Sequence, residues 1–486
     1  MKSSTLFSKL AVFLKKQRTA IMNPQSEDSS DESVPISTSN NSPVLSFRSE
    51  RLFRPIIGGQ EGGELQRHRS LFGRHKRLYS LRKSWSSSAR SVFRIDEGYA
   101  QQQVSVVEEQ RIDFMCNLPY ELVIHIMSFL DSRSLARLSS VSKAWNLIAH
   151  DNQAWRRAYL LKERWRVNIP DWVPAGQVDW KHLFSERHKL EQRWRRGDVT
   201  MRYFDGHTDS VYCVQFDEEK IVTGSRDRTI KIWDATTMRC LRTLEGHKAS
   251  VLCLQYDARW MASGSSDTTI ILWSMVTYEP IRTLCGHTAG VLDLCLDENL
   301  IVSCSKDSTI KVWRIETGQL LRTLTGHSGP VNAVQLRGRQ LVSASGDWLV
   351  KLWDVETGQC LRNYSGHTRG LACIQFDGRY IVSGSNDHKI KVWDVATGQC
   401  LRTLEGHTNL VRTMHLMDTR IVTGSYDQSI RVWDLTTGEC LLHFQNCHSS
   451  WVFDVQFNET RIVSTSHDKK ILVMDFGEGI DTRYIV

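Results

Sequence analysis

No run of about 18 or more apolar residues occurs in this 486-residue chain, so the sequence offers no candidate transmembrane helix. The opening "LFSKLAVFLKKQR" is short and basic but lacks a small-residue cleavage site, and reads as a weak amphipathic helix rather than a signal peptide. No Cys-x-x-Cys occurs among the 12 cysteines, which removes the commonest metal and redox spacing and argues against a disulfide framework. Cys213, Cys253 and Cys373 instead share one place in a repeat, and Cys240, Cys360, Cys400 and Cys440 share another. All seven are expected to be small buried strand residues in a reducing compartment. Net positive charge is also scarce over most of the chain. Of the net +8, residues 1–112 hold 18 Lys/Arg against 11 Asp/Glu, which leaves about +1 for the remainder. Any nucleic-acid footprint is therefore confined to a tail, and nucleic acid is not the expected partner.

What the chain has in quantity is repetition. Gly-His pairs stand at 206–207, 246–247, 286–287, 326–327, 366–367 and 406–407, a constant step of 40 residues, and a seventh copy reads Cys447-His448. A unit of roughly 40 to 45 residues ending near Trp-Asp is the sequence sign of a β-propeller with four-stranded blades. In the sixth copy "VRTMHL", "RIVTGS", "SIRVWD" and "CLLHF" supply the four strands, innermost first. The seventh copy ends at "KILVMDF" without a fourth strand, and "VTMRYF" before Gly206 supplies it. Residues 199–204 are thus expected to close the ring as the outer strand of the last blade.

Ahead of the repeats the chain changes character twice. Residues 1–110 are Ser-rich with an acidic block "SEDSSDES" and a basic cluster over 67–94, and are expected to be a disordered tail. That cluster fits a nuclear-import or acidic-surface patch, a phosphorylation target, or a solvated linker. Helical signals then fill 113–160. Pro119 suits a first turn, Leu122, Ile126, Phe129 and Leu130 form a stripe, and Asp131 or Ser132 caps a second helix carrying Leu135 and Leu138. Ser142 opens a third with Trp145, and Trp155 sits on a fourth. These apolar residues exceed what so small a bundle buries, so part of that surface is expected to meet a partner. Pro170 and Pro174 break the pattern, and Asp179 to Arg196 offer one longer helix, a spacer within a linker over 161–198.

The Leu-Pro-x-Glu-Leu opening, the Leu run and the Trp145/Trp155 pair resemble an F-box. The resemblance implies docking onto the Skp adaptor of a cullin-RING ubiquitin ligase, through Leu118, Pro119, Leu122, Ile126 and Leu135.

The repeats separate scaffold from variation. Their His, Ser/Thr, Asp and Trp recur together, as in His407, Thr423, Asp427 and Trp433, and resemble the hydrogen-bond set that ties each blade of a WD-repeat propeller. A His and an Asp invite a catalytic reading, but seven equivalent copies argue for satisfied structural bonds. Only Met474 departs, in place of the seventh Trp. The residue before the tie Asp varies as Arg226, Ser266, Lys306, Gly346, Asn386, Tyr426 and His467. The second residue of the inner strand varies as Tyr212, Leu252, Leu292, Asn332, Ala372, Arg412 and Phe453. No acid occupies either column, whereas the loops of the opposite face hold "DEEK", "DENL", "IETG" and "VETG". Arg226, Lys306, Arg369 and Arg412, with the hydroxyls of Tyr212, Ser250, Ser266 and Tyr426, are expected to converge at the channel mouth, where guanidinium forks suit phosphate or carboxylate.

In "SVLCLQYD", "SASGD", "RGLACIQF" and "STSHDKKILVMDF" the repeats are similar to the F-box/WD-repeat substrate receptors, within them the β-transducin-repeat-containing group that reads doubly phosphorylated Asp-Ser-Gly degrons. The resemblance implies degron contacts at Tyr212, Arg226, Ser250, Ser266, Lys306, Asn332, Gly346, Arg369, Gly370, Leu410, Arg412 and Tyr426. Trp348 and Trp451 stand where that group has arginine, which implies a more apolar or aromatic flank for the ligand. The sequence is therefore read as an all-β seven-bladed propeller behind a small all-α F-box. Its expected role is a non-catalytic receptor without cofactor or metal, cytoplasmic or nuclear, partnered by the Skp adaptor, cullin and RING subunits and phosphorylated proteins, with a homodimer left open. The rival readings are a phospho-dependent scaffold outside any ligase and a chromatin- or RNA-associated protein using its tail.

Overall fold

The computed structural model describes residues 118–162, 165–174 and 176–485. The expected tail over 1–110, its basic cluster, and the start of the helical domain before Leu118 lie outside the described residues.

Among the described residues, four short helices come first: α1 (Tyr120–Met127), α2 (Ser132–Leu138), α3 (Lys143–Ile148) and α4 (Asn152–Leu160). Each start follows from its capping residue. The Asp131 carboxylate accepts from Ser134 N–H, Ser142 Oγ from Trp145 N–H, and the Asp151 carboxylate from the N–H groups of Gln153 and Ala154. Pro119 sits one place earlier than the sequence implies, at the cap of α1, where its carbonyl accepts from Leu122 and Val123. The core face of α1 also differs from the expected stripe. Val123, Ile124 and Met127 are buried, while Leu122 and Phe129 are about half exposed. The reason is the short helix: its two turns pack through neighbouring residues i, i+1 and i+4, which leaves the Leu122 side facing out.

A fifth helix, α5 (Trp180–Arg196), is capped by Asp179 and ended by Gly197 at φ 72°, whose N–H bonds Arg193 O. It is a docked strut rather than a free spacer. One end packs on the helical domain, with Trp155 against Phe184 at 5.2 Å and Tyr159 against Trp180 at 5.7 Å. The other end packs on blade seven, where Trp194 stacks on Phe476 at 3.8 Å and donates its indole N–H to Glu459 O. Arg193 bonds the carbonyls of Phe476 and Glu478, and Arg420 of blade six reaches Glu191 at 3.1 Å. A single apolar core therefore runs from Val123 to Phe476 and Ile485. A bridge between Val167 and Ile485 straps the chain end to the same region.

The rest forms seven antiparallel sheets of four strands. Strand Thr200–Phe204 pairs with Ile471–Asp475 and completes the seventh blade, as the sequence implies. Apolar clusters lie between blades; Val211 and Trp233 of blade one, for example, pack with Val463 and Ile471 of blade seven. Inner strands are also stitched sideways. The Gln215 amide both donates to Tyr256 O and accepts from Tyr256 N–H, and Gln255 and Gln456 accept from Leu296 and Phe216.

In six blades the tie is complete. In blade six, His407 lies 2.8 Å from both Asp427 and Thr423, and the Trp433 indole N–H donates to the same Thr423 hydroxyl at 2.9 Å. Burial lowers the imidazole pKa of His247, His287, His327 and His367, which suits neutral rings. In blade seven His448 keeps Asp468 and Ser464, but Met474 supplies no indole N–H. The glycine of the Gly-His pair also has a reason. A Cβ at Gly206 or Gly286 would stand 2.9 Å from the ring of Trp233 or Trp313.

The cysteines divide differently from expectation. Cys213, Cys253 and Cys373 are buried, but Cys240, Cys360, Cys400 and Cys440 are exposed. They open the outer strands, whose outward side no other blade covers.

Candidate functional site

The variable residues are brought to one mouth of the ring by three backbone devices that recur in every blade. The first is a β-bulge. Each inner strand skips its second residue in the ladder to the next strand, so Tyr212, Leu252, Leu292, Asn332, Ala372, Arg412 and Phe453 are left unpaired. A bulge re-aims a side chain and ends regular pairing. The second is a bond across the top of each inner hairpin. The N–H of Arg226, Ser266, Lys306, Gly346, Asn386, Tyr426 and His467 donates to the carbonyl of Ser210, Ser250, Gly290, Pro330, Gly370, Leu410 and Trp451 respectively.

The third device is a left-handed residue after each tie aspartate. Arg228, Thr268, Ser308, Trp348, His388, Gln428 and Lys469 all have φ between 66° and 76°. None is glycine, although a side chain there costs about 1 kcal/mol. The tie aspartate holds the turn: Asp227, for example, accepts from Thr229 N–H and Thr208 N–H. Strain retained at seven equivalent loops, each bearing a different side chain, marks this face as the one where the blades are individualised.

These devices place the expected residues on a common face. Tyr212, Asn332 and Arg412 are bulge residues; Arg226, Ser266, Lys306, Gly346 and Tyr426 precede tie aspartates; Ser250, Gly370, Leu410 and Trp451 are carbonyl partners. Arg369 adjoins Gly370, and Trp348 is a left-handed residue with 55% of its surface exposed. Some are partly committed to the fold. The Asn332 amide donates to Leu371 O at 2.6 Å, and Arg412 reaches Ala372 O at 3.4 Å. Gly346 and Gly370 meet backbone to backbone, since a Cβ on Gly370 would lie 3.2 Å from Gly346 Cα. The Tyr212 phenol is raised in pKa by burial, against the nearby Arg226 and Arg412 charges, and so remains a donor.

Three features of the mouth escape the sequence reading. Asp209 lies 3.7 Å from Arg226, so the face is not free of acid and charge is only partly segregated between faces. Phe453 and His467 join Trp451, Tyr426 and Tyr212 in one aromatic cluster. Beneath it, a channel cavity of about 140 Å³ is walled by two carboxylates, Asp293 and Asp454. The third inner-strand position reads Cys213, Cys253, Asp293, Ala333, Cys373, Thr413 and Asp454, so one further column would have found both acids. They clamp neighbouring blades. Asp293 accepts from Val334 and Leu294 N–H, and Asp454 from Val214 and Val455 N–H and the Thr413 hydroxyl. Burial pushes the Asp293 carboxyl up to about 7 and raises Asp454 as well, with backbone N–H donors opposing.

On the helical domain, Pro119 and Leu122 are exposed, and Leu118 and Ile126 are half-buried. Leu135, expected at an adaptor contact, is instead fully buried. It faces inward because α2 has a single core position, and that position is Leu135. Tyr120, Val141, Leu147, Leu160 and Leu161 stay exposed, with no apolar cover among the described residues. The docked α5 reaches the loops of residues 417–420 and 476–480, on the side of the ring away from the bulged mouth.

The geometry defines a seven-bladed propeller packed on a helical domain that keeps exposed apolar side chains. The comparisons agree. A model described as WD domain, G-beta repeat matches 199–234, 238–274, 278–314, 318–354, 358–394, 398–434 and 438–475, and an F-box-like model matches 115–161. The chain belongs to the F-box/WD-repeat proteins. Among similar curated proteins is the probable E3 ubiquitin ligase complex SCF subunit sconB of Arthroderma benhamiae, 33% identical over 171 residues, with 29% of this chain and 26% of that protein covered. The F-box/WD repeat-containing protein 7 of Drosophila melanogaster is 37% identical over 160 residues, covering 31% of this chain and 12% of its own length. An F-box protein of Saccharomyces cerevisiae is 32% identical over 159 residues, covering 28% of this chain and 25% of its own length. The aligned part of this chain spans about a quarter or less of the length of these relatives.

Proposed function

We propose that this chain is the non-catalytic substrate-recognition subunit of an SCF-type ubiquitin ligase, binding phosphorylated proteins at the bulged mouth and the Skp adaptor, cullin and RING subunits through its helical domain, in the cytoplasm or nucleus. The observation that carries the reading is the rim itself. Arg226 and Arg412 stand within electrostatic reach of the Tyr212 phenol, on a ring whose every blade is bulged to aim a side chain there. A phosphate suits that set because guanidinium forks and hydroxyl donors match its oxygens. Each charge-assisted bond contributes roughly 1.5 to 3 kcal/mol and micromolar binding needs about 8, so several contacts must act together. The α5 strut supports the second half of the reading. It is held at both ends, so a ligand at the mouth keeps a fixed distance from whatever docks on the helical domain.

The test is affinity purification of the full chain beside two double variants. Pro119→Ala with Leu122→Ala is expected to lose adaptor and cullin while keeping phosphorylated partners. Arg226→Ala with Arg412→Ala is expected to do the reverse. Absence of adaptor from the unsubstituted chain would overturn the ligase reading, and phosphatase-insensitive partners would overturn the phosphate reading.

A further inference from the structure

The mouth carries an aromatic platform whose ring faces are left free by phosphate binding, which calls only on the Tyr212 and Tyr426 hydroxyls. Trp451 and Tyr426 lie nearly parallel, with ring centroids 4.8 Å apart and planes inclined by 11°. Phe453 and His467 set their edges against Trp451 at 6.5 and 5.4 Å, and Phe453 leans on Tyr212 at 4.8 Å. The rings therefore hold one another across blades six, seven and one. In the other blades the position of Trp451 is taken by Ser210, Ser250, Gly290, Pro330, Gly370 and Leu410. Only one blade presents an indole there, and although Tyr426 covers one side of it, 45% of its surface stays exposed.

We propose that the Trp451–Tyr426 stack is a docking platform for an aromatic side chain that flanks the phosphorylated residue of the bound protein. The proposal rests on the phosphate reading of the same mouth and narrows the class of ligand it takes. A further ring extends a parallel stack in the offset geometry that aromatic pairs favour. The platform is ordered before binding, because the Trp451 carbonyl is held by His467 N–H and its ring by three neighbours, so little motion is lost on docking. A basic side chain, the other natural guest of an indole face, enters a mouth where Arg226 and Arg412 already act on Tyr212, with Asp209 offsetting Arg226 only in part. The phosphate is drawn by those same charges. One mouth thus holds two unlike subsites side by side, a cationic one and an aromatic one, and the pair fixes which way the peptide runs.

The experiment uses the full chain bound to its adaptor and fluorescein-labelled phosphoserine peptides of alanine background, in which phenylalanine, leucine, proline or arginine is placed at each flanking position in turn. Anisotropy titrations give the affinity of each relative to the all-alanine phosphopeptide. Phenylalanine at one position is expected to tighten binding about fivefold. That ratio should fall toward one in Trp451→Ala and persist in Trp451→Phe, both checked for folding by thermal melting. Phosphate-dependent binding with no position preferring phenylalanine overturns the platform and leaves the receptor reading standing. So does an equal gain from leucine, proline or arginine, or a ratio unchanged in Trp451→Ala. Equal binding of phosphorylated and unphosphorylated peptides overturns the receptor reading itself, and the platform with it.

Discussion

Arg187 of α5 and Glu459 of blade seven meet at 2.6 Å with only 1% and 10% of their side chains exposed, an ion pair buried where the helical strut enters the propeller. Such a pair is not a large net source of stability, because both charges left water to form it. Its removal in halves is another matter. Burial raises the Glu459 carboxyl, and the Arg187 guanidinium opposes that rise. Arg187→Ala is expected to cost about 3–5 kcal/mol, whereas Arg187→Met with Glu459→Leu is expected to be near neutral. Urea unfolding of both variants checks the contrast, and equal losses would mean that packing rather than charge governs the joint.

Ring closure depends on one short strand far from the blade it completes. Thr200–Phe204 pairs through its full length with Ile471–Asp475, and Tyr203 also donates its hydroxyl to Cys447 O at 2.7 Å. Without it, blade seven keeps three strands and an open edge. Two shortened chains, one starting at Asp198 and one at Gly206, isolate this strand because both lack α5. The longer is expected to melt cooperatively and the shorter to lose cooperativity or melt at least ~10 °C lower, a shift that corresponds to several kcal/mol in a domain of this size.

How far the sequence reveals this architecture depends on whether a residue repeats. The Gly-His step, the tie residues and the closing strand are legible because each position has six counterparts to be compared with. The mouth is legible to the same extent, since columns that vary stand out against columns that do not. Leu135 and Leu122 are harder, because an isolated two-turn helix has no counterpart and its apolar stripe fits two opposite faces. The exposure of Cys240 and its equivalents escapes for a related reason: periodicity says that positions are alike, not which side of the outer strand is covered. The Trp451–Tyr426 stack joins different columns of different blades, and comparison down a column cannot reveal it.

The left-handed residues offer a cleaner trade between strain and function. Trp348 has φ 73°, a conformation that glycine adopts without cost. Trp348→Gly is expected to raise stability by about 0.5–1 kcal/mol, the relief being partly offset by the greater freedom of glycine when unfolded. If Trp348 touches the ligand, the same variant binds phosphorylated partners less well. Thermal melting and peptide titration together read both effects, and a stability loss would show that the indole is held by contacts outweighing its backbone strain.

Acid should loosen the blades in two stages. Burial disfavours the Asp267, Asp307 and Asp468 carboxylates, yet hydrogen bonds from hydroxyl, imidazole and N–H groups outweigh it and hold all three at about 2. Groups whose folded pKa lies below the unfolded value contribute stability that is present above about 4 and lost as pH falls toward 2, on the order of 1 kcal/mol each. The lowered imidazoles of His247, His287, His327 and His367 act earlier. They favour the unfolded chain once it begins to take up protons near 6.5. Unfolding free energy measured between pH 7.5 and 3 is expected to decline from about 6.5 and to steepen below 4. The raised Asp293 carboxyl opposes this decline above 4, so the imidazoles are read in the Asp293→Asn variant, where a flat profile down to pH 4 would mean that they do not stay neutral in the folded ring.

Asp293 should show the opposite dependence. Asp293 is half-buried and lines the channel, with Asp454, the three thiols of Cys213, Cys253 and Cys373, and Arg412 in the same wall. Burial raises it from 3.8 to about 7, and Arg412 and two N–H donors only partly oppose. A group whose folded pKa lies above the unfolded one costs stability as pH rises from 3.8 to 7, because the unfolded chain sheds the proton first. The displacement sets a ceiling of roughly 4 kcal/mol, and water in the channel reduces it. Asp293→Asn removes this dependence but leaves one of the Val334 and Leu294 N–H groups without its carboxylate oxygen, at about 1 kcal/mol. The variant is therefore expected to be less stable than the unsubstituted chain at pH 4 and more stable at pH 8, with the two unfolding curves crossing between. Parallel curves across that range would mean that Asp293 is ionised in the folded ring, held by Arg412 more strongly than burial opposes it.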